Sequence, residues 1–171
     1  MPSRTLVSVD EYLHTSYDPD CDYVDGAIVE RNVGERDHSE LQGEIYAYLR
    51  SLGRKLNIRP YIEQRVQVGS SRFRIPDICV VHGGRPNEQI FTKPPLIAIE
   101  NSLKRRPDIG HAGTDRRLPH VRRALRVGDQ PTHETRLDHT KDGSHEAKDG
   151  ILRTENPAIE LPLPEIFQAL Q

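Results

Sequence analysis

Apolar side chains recur with helical spacing in the N-terminal half of the chain. Over residues 38–52 they fall three and four positions apart, which predicts an amphipathic helix with one buried stripe. Asp37 or Ser39 is placed to cap this helix, and Gly53 is placed to end it. A shorter helix is predicted to begin after Ser8, where the sequence offers a capping box.

Shorter runs rich in β-branched residues predict a sheet beside these helices. The Asp25-Gly26 pair marks a hairpin turn. Residues 58–68 alternate between apolar and polar side chains, which is typical of a strand with one solvated face. Residues 75–81 and 96–99 are continuous apolar runs, which predict buried strands. The order of these elements indicates an α/β fold in which a long helix packs on a mixed sheet.

Each of the two buried strands carries one acidic residue. Asp77 interrupts the first apolar run, and Glu100 ends the second. An ionised carboxylate in an apolar strand is costly unless it is compensated, and a bound cation is one such partner. Taken singly, each acid is more typical of a turn or a solvated strand end. Taken together on adjacent strands, they suit a hard divalent cation such as Mg²⁺, whose bound water can attack a phosphodiester.

The regular pattern is lost over residues 101–140. This segment holds four of the eight His residues and nine Arg or Lys residues, and three prolines interrupt it. The spacing of its histidines fits no zinc site. A regular pattern returns with a hairpin predicted around residues 149–150 and a helix over residues 163–170. We therefore predict one domain over residues 1–171. Within it, residues 101–140 form an aberrant basic segment that is expected to be irregular or disordered.

Bulk composition excludes few classes of function. The chain has 24 Lys and Arg against 26 Asp and Glu, so its net charge argues neither for nor against a nucleic-acid partner. Cys21 and Cys79 show no redox or metal-ligand spacing and are expected to be buried free thiols. No apolar stretch resembles a signal peptide or reaches membrane-spanning length, so we expect a cytoplasmic protein with no membrane contact.

Seven short motifs, in order along the chain, carry a family resemblance. They are V-S-V-D-E-Y-L at residues 7–13, D-Y-V-D-G at 22–26, H-S-x-L-Q at 38–42, E-Q-R-V-Q-V at 63–68, R-F-R-I-P-D-I-C-V-V at 72–81, P-P-L-I-A-I-E at 94–100 and L-P-L-P-E-I-F at 161–167. On these motifs the chain resembles the Uma2-type restriction endonuclease domains of the PD-(D/E)XK nuclease superfamily. The resemblance covers roughly residues 5–100 and 141–168.

The resemblance implies a restriction-endonuclease-like α/β fold, with a mixed β-sheet flanked by helices, and a metal-dependent endonuclease that cleaves DNA. It makes Asp77 and Glu100 the catalytic metal ligands and implies Mg²⁺, or another divalent cation such as Mn²⁺, as the cofactor. His38 and Gln64 fall near the site, whereas Glu63 is expected on the solvated face of its strand. DNA is then the partner, and a homodimer is an open alternative to a monomer.

The chain leaves the family pattern directly after Glu100. The family continues with an apolar pair and Ser, then a helix with a Lys or Gln, then a strand ending in V-W-V-I. In this chain, an unrelated basic sequence begins at Asn101. Permitted codons for residues 101–136, read one nucleotide later, spell a sequence that begins I-L-S and contains F-G-V-R-Y-V-W-V-I. We therefore hypothesise a frameshift at Asn101 that is compensated near Thr140. Resequencing that found no such alternative frame in the gene would contradict it.

The altered segment leaves two functions open. One is a metal-dependent endonuclease, active or inactivated, in which Lys104 is the nearest replacement for the missing basic residue. The other is a non-catalytic remnant or nucleic-acid-binding protein that acts through its basic segment. Loss of the family's helix and central strand is expected to leave the intact sheet with an exposed edge.

Overall fold

The structure is a computed structural model that describes residues 6–31, 36–102, 124–128, 137–140, 143–146 and 149–168. Its helices are α1 (Val9–His14), α2 (Arg36–Leu56) and α3 (Leu163–Gln168). Its strands are β1 (Cys21–Val24), β2 (Ala27–Glu30), β3 (Ile58–Ile62), β4 (Val66–Gly69), β5 (Arg72–Arg74), β6 (Ile78–His82), β7 (Ile97–Ser102), β8 (Ala124–Gly128), β9 (Leu137–Thr140), β10 (Gly143–Glu146), β11 (Ile151–Glu155) and β12 (Ala158–Pro162).

The described strands form three sheets, of which the largest is mixed. Its six strands lie in the order β10-β9-β8-β7-β6-β3. Strands β7 and β8 run parallel, whereas the other neighbours in this sheet are antiparallel. A second sheet has the order β2-β1-β5-β4, and β11 pairs with β12 alone. The predicted mixed β-sheet flanked by helices is confirmed.

Helix α2 covers one face of the mixed sheet and buries its apolar stripe there. Leu41, Ile45 and Leu49 are at most 1% exposed and share a core with Ile78 and Ile99 of the sheet. Burial of one side chain of this size contributes roughly 1.5–3 kcal/mol. The β11-β12 hairpin and α3 close the same core. This packing fixes the first turns of α2, and the polar residues that they carry, over the end of the sheet.

Two local predictions about turns and caps are confirmed. Ser8 caps α1, because its Oγ accepts a 3.1 Å hydrogen bond from the N–H of Glu11. Asp25 and Gly26 connect β1 to β2 with φ angles of 49° and 92°. Both angles lie in the left-handed region that a D-G hairpin turn requires, and Gly reaches it without a steric cost.

Both predicted ends of α2 are wrong. Asp37 and Ser39 lie inside the helix, which continues through Gly53 to Leu56. A Cβ on Gly53 would lie 3.1 Å from the carbonyl oxygen of Ile58, so the glycine lets β3 pass close to the helix instead of ending it. Leu56 packs against the main core and extends the buried stripe. Among the described helices, α2 included, none is long and apolar enough to cross a membrane.

The structure divides one predicted strand and shortens another. Residues 58–68 form β3 and β4, which belong to different sheets, and Glu63 between them has a φ of 49°. A left-handed residue turns the chain, so one alternating pattern serves two strands. Within residues 75–81, Pro76 and Asp77 precede β6 instead of joining it, because proline lacks the N–H that a strand ladder uses.

The expectation that the mixed sheet loses its neighbour beyond β7 is wrong. Strand β7 extends to Ser102, and β8, from within the basic segment, lies parallel to it. Strand β9 pairs with β8 in turn. Strand pairing is made by backbone groups, so it does not need the side-chain pattern that the sequence lacks here. The predictions for residues 103–123, including Lys104, and for residues 129–136 lie outside the described residues.

The C-terminal elements confirm one prediction and correct another. Helix α3 forms within the predicted 163–170. The hairpin predicted around residues 149–150 is wrong, because β10 pairs with β9 and β11 pairs with β12. The two strands of the second pair are joined through Asn156 and Pro157, which the structure places in a turn.

Candidate active site

The chain passes from the four-stranded sheet to the mixed sheet at Asp77. Strand β6 begins at the next residue, Ile78, which lies opposite Ile99 of β7 in an antiparallel register. The next residues outward on the two strands are Asp77 and Glu100. Asp77 is only 4% exposed, a burial that an aspartate reaches only with compensating partners.

Three groups from different parts of the chain surround the Asp77 carboxylate. Arg31 Nη2 donates a 2.8 Å hydrogen bond to Oδ1. The backbone N–H of Asn101 donates a 2.6 Å hydrogen bond to Oδ2. His38 Nε2 lies 3.3 Å from the same Oδ2. Charge-assisted bonds of this kind offset the desolvation of a buried carboxylate.

Helix α2 and the residue that follows strand β3 hold the main chain of Asp77. Gln42 Nε2 donates a 2.8 Å hydrogen bond to the Asp77 carbonyl oxygen, and the N–H of Glu63 donates to the same oxygen at 3.1 Å. His38 and Gln42 are four residues apart, so they lie one turn apart on the same face of α2. Both the backbone and the side chain of Asp77 are thereby fixed.

Arg31 lies between two carboxylates. Its guanidinium is bonded to Asp77, and its Nη1 lies 3.8 Å from Oε1 of Glu63. The Arg31 side chain is 16% exposed, so water screens its charge only weakly. The Glu63 side chain is 50% exposed, in agreement with its predicted place on a solvated face. The site thus contains an internal cation that offsets the charge of Asp77.

The structure brings Glu100 to the site through its peptide group. The N–H that Asn101 donates to Asp77 belongs to the peptide that joins Glu100 to Asn101. Glu100 itself is half-buried on β7. Gln64, by contrast, is directed to the loop between β6 and β7, where its Nε2 donates a 2.7 Å hydrogen bond to the carbonyl oxygen of Gln89.

A buried amide lies beside the site. Asn101 is 8% exposed, and among the described residues neither its side-chain oxygen nor its side-chain nitrogen has a hydrogen-bond partner. An unsatisfied buried polar group costs roughly 1–3 kcal/mol. Asn101 is also the first residue that departs from the family pattern, so an apolar residue would suit this position better.

The donor set can be tested for its fit to a divalent cation. Within the part of the chain that the structure describes, no three His, Cys, Asp or Glu side chains are grouped as metal ligands. Asp77 and Glu100 offer two carboxylates, and a hard cation such as Mg²⁺ binds through one or two carboxylates while it keeps several waters. The chemistry of these two carboxylates fits a cation of that kind, and His38 lies beside the Asp77 carboxylate.

The two cysteines do not supply a nucleophile. Both are buried and free, as predicted. Burial raises the pKa of Cys79, two residues after Asp77, to about 12, and burial also raises the pKa of Cys21. A thiol with so high a pKa stays protonated near neutral pH, and the thiolate is the reactive form.

A family comparison decides how the chain is classified. The Uma2 family model, described as "Putative restriction endonuclease", matches residues 9–101, which is more than half of the chain and includes Asp77 and Glu100. The chain belongs to the Uma2 family. This confirms the resemblance carried by its motifs. The match ends at Asn101, where the sequence departs from the family pattern.

A solved structure shares the fold of this Uma2 chain. It is the crystal structure, at 1.96 Å resolution, of "a putative nuclease belonging to DUF820 from Anabaena variabilis ATCC 29413". The two chains are 17% identical with a TM-score of 0.75, over 96% of this chain and 99% of that chain. At this identity the likeness concerns the fold, and it confirms the restriction-endonuclease-like architecture. No curated protein sequence matches the chain.

Sequence reasoning missed two partners of Asp77. Arg31 and Gln42 precede it by 46 and 35 residues. Gln42 did offer a signal, because it is spaced four residues from His38 within the H-S-x-L-Q motif. Arg31 offered none, since a single base after a strand is ordinary at a protein surface.

Proposed function

We propose that this Uma2-family chain is a metal-dependent endonuclease that hydrolyses DNA phosphodiesters. Asp77 and Glu100 would hold Mg²⁺ or Mn²⁺. The observation that carries the proposal is the buried Asp77 carboxylate, 4% exposed, against the peptide that follows Glu100. Removal of an ionised acid from water costs free energy. A buried acid is therefore more typical of a functional site than of a structural strand end.

When bound, the cation would activate a water and offset charge on the phosphate. The protein's own groups set the position of the first ligand. Arg31, the N–H of Asn101 and His38 surround both oxygens of Asp77, so the carboxylate has one orientation. Arg31 donates to Oδ1 and offsets the negative charge of the carboxylate that would hold the cation.

A plasmid-nicking assay tests the proposal. Supercoiled plasmid is incubated with the protein in Mg²⁺, in Mn²⁺ and in EDTA, for the natural chain and for Asp77→Asn and Glu100→Gln. Both substitutions keep the side-chain shape and remove the charge that a cation requires. We expect cleavage only with metal, and a loss of about 100-fold or more in each variant, since even outer partners of a metal typically contribute 10–100-fold.

Asp25→Asn is the matched control for these variants. Asp25 is an exposed acid of the β1-β2 turn. Its hydrogen bonds are to Ser71 and Arg72, and neither of these residues bonds to Asp77. This variant should nick plasmid at the rate of the natural chain. Cleavage that survives both Asp77→Asn and Glu100→Gln would refute the assignment of the site.

One observation favours a second candidate, a non-catalytic remnant that binds nucleic acid through its basic segment. The buried amide of Asn101 lacks a partner among the described residues, as expected if residues 101–140 are an altered text. DNA binding without cleavage, in either metal and with a steep dependence on salt, would favour this candidate over the nuclease.

A further inference from the structure

An open groove runs along the free edge of the mixed sheet. Among the described strands, β3 is the last of that sheet, and the groove lies between it, helix α2 and the loop after β6. Its volume is about 420 Å³. The residues that carry the argument are Tyr46 and Arg50 of α2, Arg59, Tyr61 and Ile62 of β3, and Arg85 of the loop.

The groove is positively charged. Arg50, Arg59 and Arg85 are all exposed, and among the residues that the structure describes no Asp or Glu lines the groove. Within the described part of the chain, none of these three arginines forms an ion pair, whereas Arg72 and Arg153 each pair with a carboxylate. Three guanidinium groups around one concavity attract a polyanion, and their planar forks suit phosphate oxygens.

Two tyrosines add flat apolar surface to this basic groove. Tyr46 and Tyr61 are half-buried, so part of each ring is in contact with solvent. Tyr61 is held by Phe91, with ring centroids 5.0 Å apart and planes at 87°. Tyr46 packs against the main core. Rings held in this way provide stacking surfaces for unpaired bases, and a mixture of cations and aromatic faces is typical of single-strand binding.

One end of the groove reaches the candidate active site. From Arg59 to Ile62 the strand spans about 10 Å, at about 3.4 Å per residue. The residue after Ile62 is Glu63, whose N–H donates to the Asp77 carbonyl oxygen at 3.1 Å. Ile62 itself lies opposite Ile78, the residue after Asp77. A DNA strand that is bound along β3 is therefore directed to Asp77.

The edge of β3 is poorly suited to another protein strand. Pro60, in its middle, has no N–H to offer a partner, and Arg59 places a charge beside it. Proline and charge on an edge strand are devices that prevent strand addition. The same features do not hinder a phosphate backbone, because it binds to side chains rather than to backbone ladders.

We propose that this groove binds a single-stranded segment of DNA and leads it to Asp77. The three arginines contact phosphates, and Tyr61 stacks on a base. The choice of DNA as the ligand rests on the proposed nuclease function. The inference adds the place where the DNA strand lies and a preference for unpaired DNA.

Fluorescence anisotropy with a labelled single-stranded oligodeoxynucleotide tests the proposal. The measurement uses the full chain in EDTA, so that binding is separated from cleavage. Arg59→Ala combined with Arg85→Ala should weaken binding at least tenfold. It should also reduce the magnitude of the slope of log affinity against log salt by about 1.4, because each of the two lost phosphate contacts on a single strand contributes about 0.7. Tyr61→Leu, which keeps an apolar side chain against Phe91, should weaken binding about fivefold or more.

Arg54→Ala is the matched control, because Arg54 is an exposed arginine of α2 that does not line the groove. It should bind within about twofold of the natural chain, with a slope lower by at most about 0.7. An equal loss in the Arg54 control and in the double variant would overturn the proposal. So would a double variant that binds DNA normally but loses self-association in sedimentation, since the groove would then bind a second copy.

Failure of this inference is distinguishable from failure of the proposed function. If the groove is wrong, the double variant binds normally in EDTA while metal-dependent nicking still requires Asp77 and Glu100. If the nuclease is wrong, nicking is absent or survives those substitutions while the groove variants still lose binding in EDTA.

Discussion

The backbone N–H of Asn101 donates a 2.6 Å hydrogen bond to Oδ2 of Asp77. This bond joins the residue before β6 to the peptide that follows Glu100, so the chain is held together at the two acids predicted from sequence. Arg31 occupies the other carboxylate oxygen at 2.8 Å. The stability of the site and its proposed chemistry therefore depend on the same few groups.

Replacement of Arg31 by Ala should destabilise the fold. It leaves the buried Asp77 carboxylate without its nearest cation, and removal of one partner of a buried pair costs roughly 3 kcal/mol or more. Urea unfolding at neutral pH measures the loss. Added Mn²⁺ should restore more stability to this variant than to the natural chain, because Asp77 is then free to bind it.

Arg72→Ala is the control for that experiment. Arg72 pairs with Asp25 at the surface, with both side chains 48% exposed, and such pairs contribute about 1 kcal/mol at most. Equal destabilisation of the Arg31 and Arg72 variants would show that the Asp77 pair is not a buried one.

Asn101→Ile should stabilise the protein. The substitution removes the buried amide that lacks a partner and restores the apolar residue that the shifted frame predicts, for a gain of roughly 1–3 kcal/mol. The control is Thr154→Val, since the Thr154 hydroxyl is bonded to Pro157 and Ile159. That variant should lose about 1 kcal/mol. If Asn101→Ile also loses stability in urea unfolding, the amide has a partner that the folded protein needs.

Tyr12 should make the fold sensitive to alkali. Burial raises its pKa from 10.0 to about 12, although the Arg65 guanidinium over its ring acts in the opposite direction. Because the folded pKa is the higher one, the contribution to stability is complete below pH 10 and is lost as the pH rises from 10 to 12. Two pKa units correspond to about 2.7 kcal/mol.

Tyr12→Phe separates that contribution from the rest of the alkaline transition. The variant loses the 2.8 Å bond from the hydroxyl to the Cys21 carbonyl oxygen, so it should be less stable at pH 7 by about 1 kcal/mol. Between pH 10 and 12 its stability should fall less steeply than that of the natural chain. Parallel curves for the two proteins would mean that Tyr12 does not carry this pH dependence.

Neither cysteine should react with iodoacetamide while the protein is folded. Burial raises the pKa of both thiols, that of Cys79 to about 12, and encloses both side chains. Mass spectrometry at pH 8 should detect no adduct in buffer and two adducts in urea. Rapid labelling of Cys79 in the folded state would show that strand β6, which follows Asp77, opens readily.

The sequence determined the elements whose signals are local. Helix α1 with its Ser8 cap, the Asp25-Gly26 hairpin and the buried stripe of α2 follow from neighbouring residues alone. The motifs also determined the family. These predictions succeeded because periodicity and turn chemistry are properties of short stretches of chain. The assignment of Asp77 and Glu100 as the site stays a prediction.

The departure at Asn101 was also visible in the sequence, and two observations agree with it. The family match ends at this residue, and its buried amide has no partner among the described residues. The frameshift itself stays a prediction that resequencing tests.

Only the tertiary structure decided which residues meet at Asp77. Arg31 is 46 residues away in sequence, and it reaches the carboxylate because β2 ends beside the junction of two sheets. The sequence also did not predict three other features. They are the split between β3 and β4 at Glu63, the pairing of β8 with β7 and the arginines around the edge of β3. Each depends on the order of strands within a sheet. That order is set by contacts between distant segments, which leave no mark in the spacing of neighbouring residues.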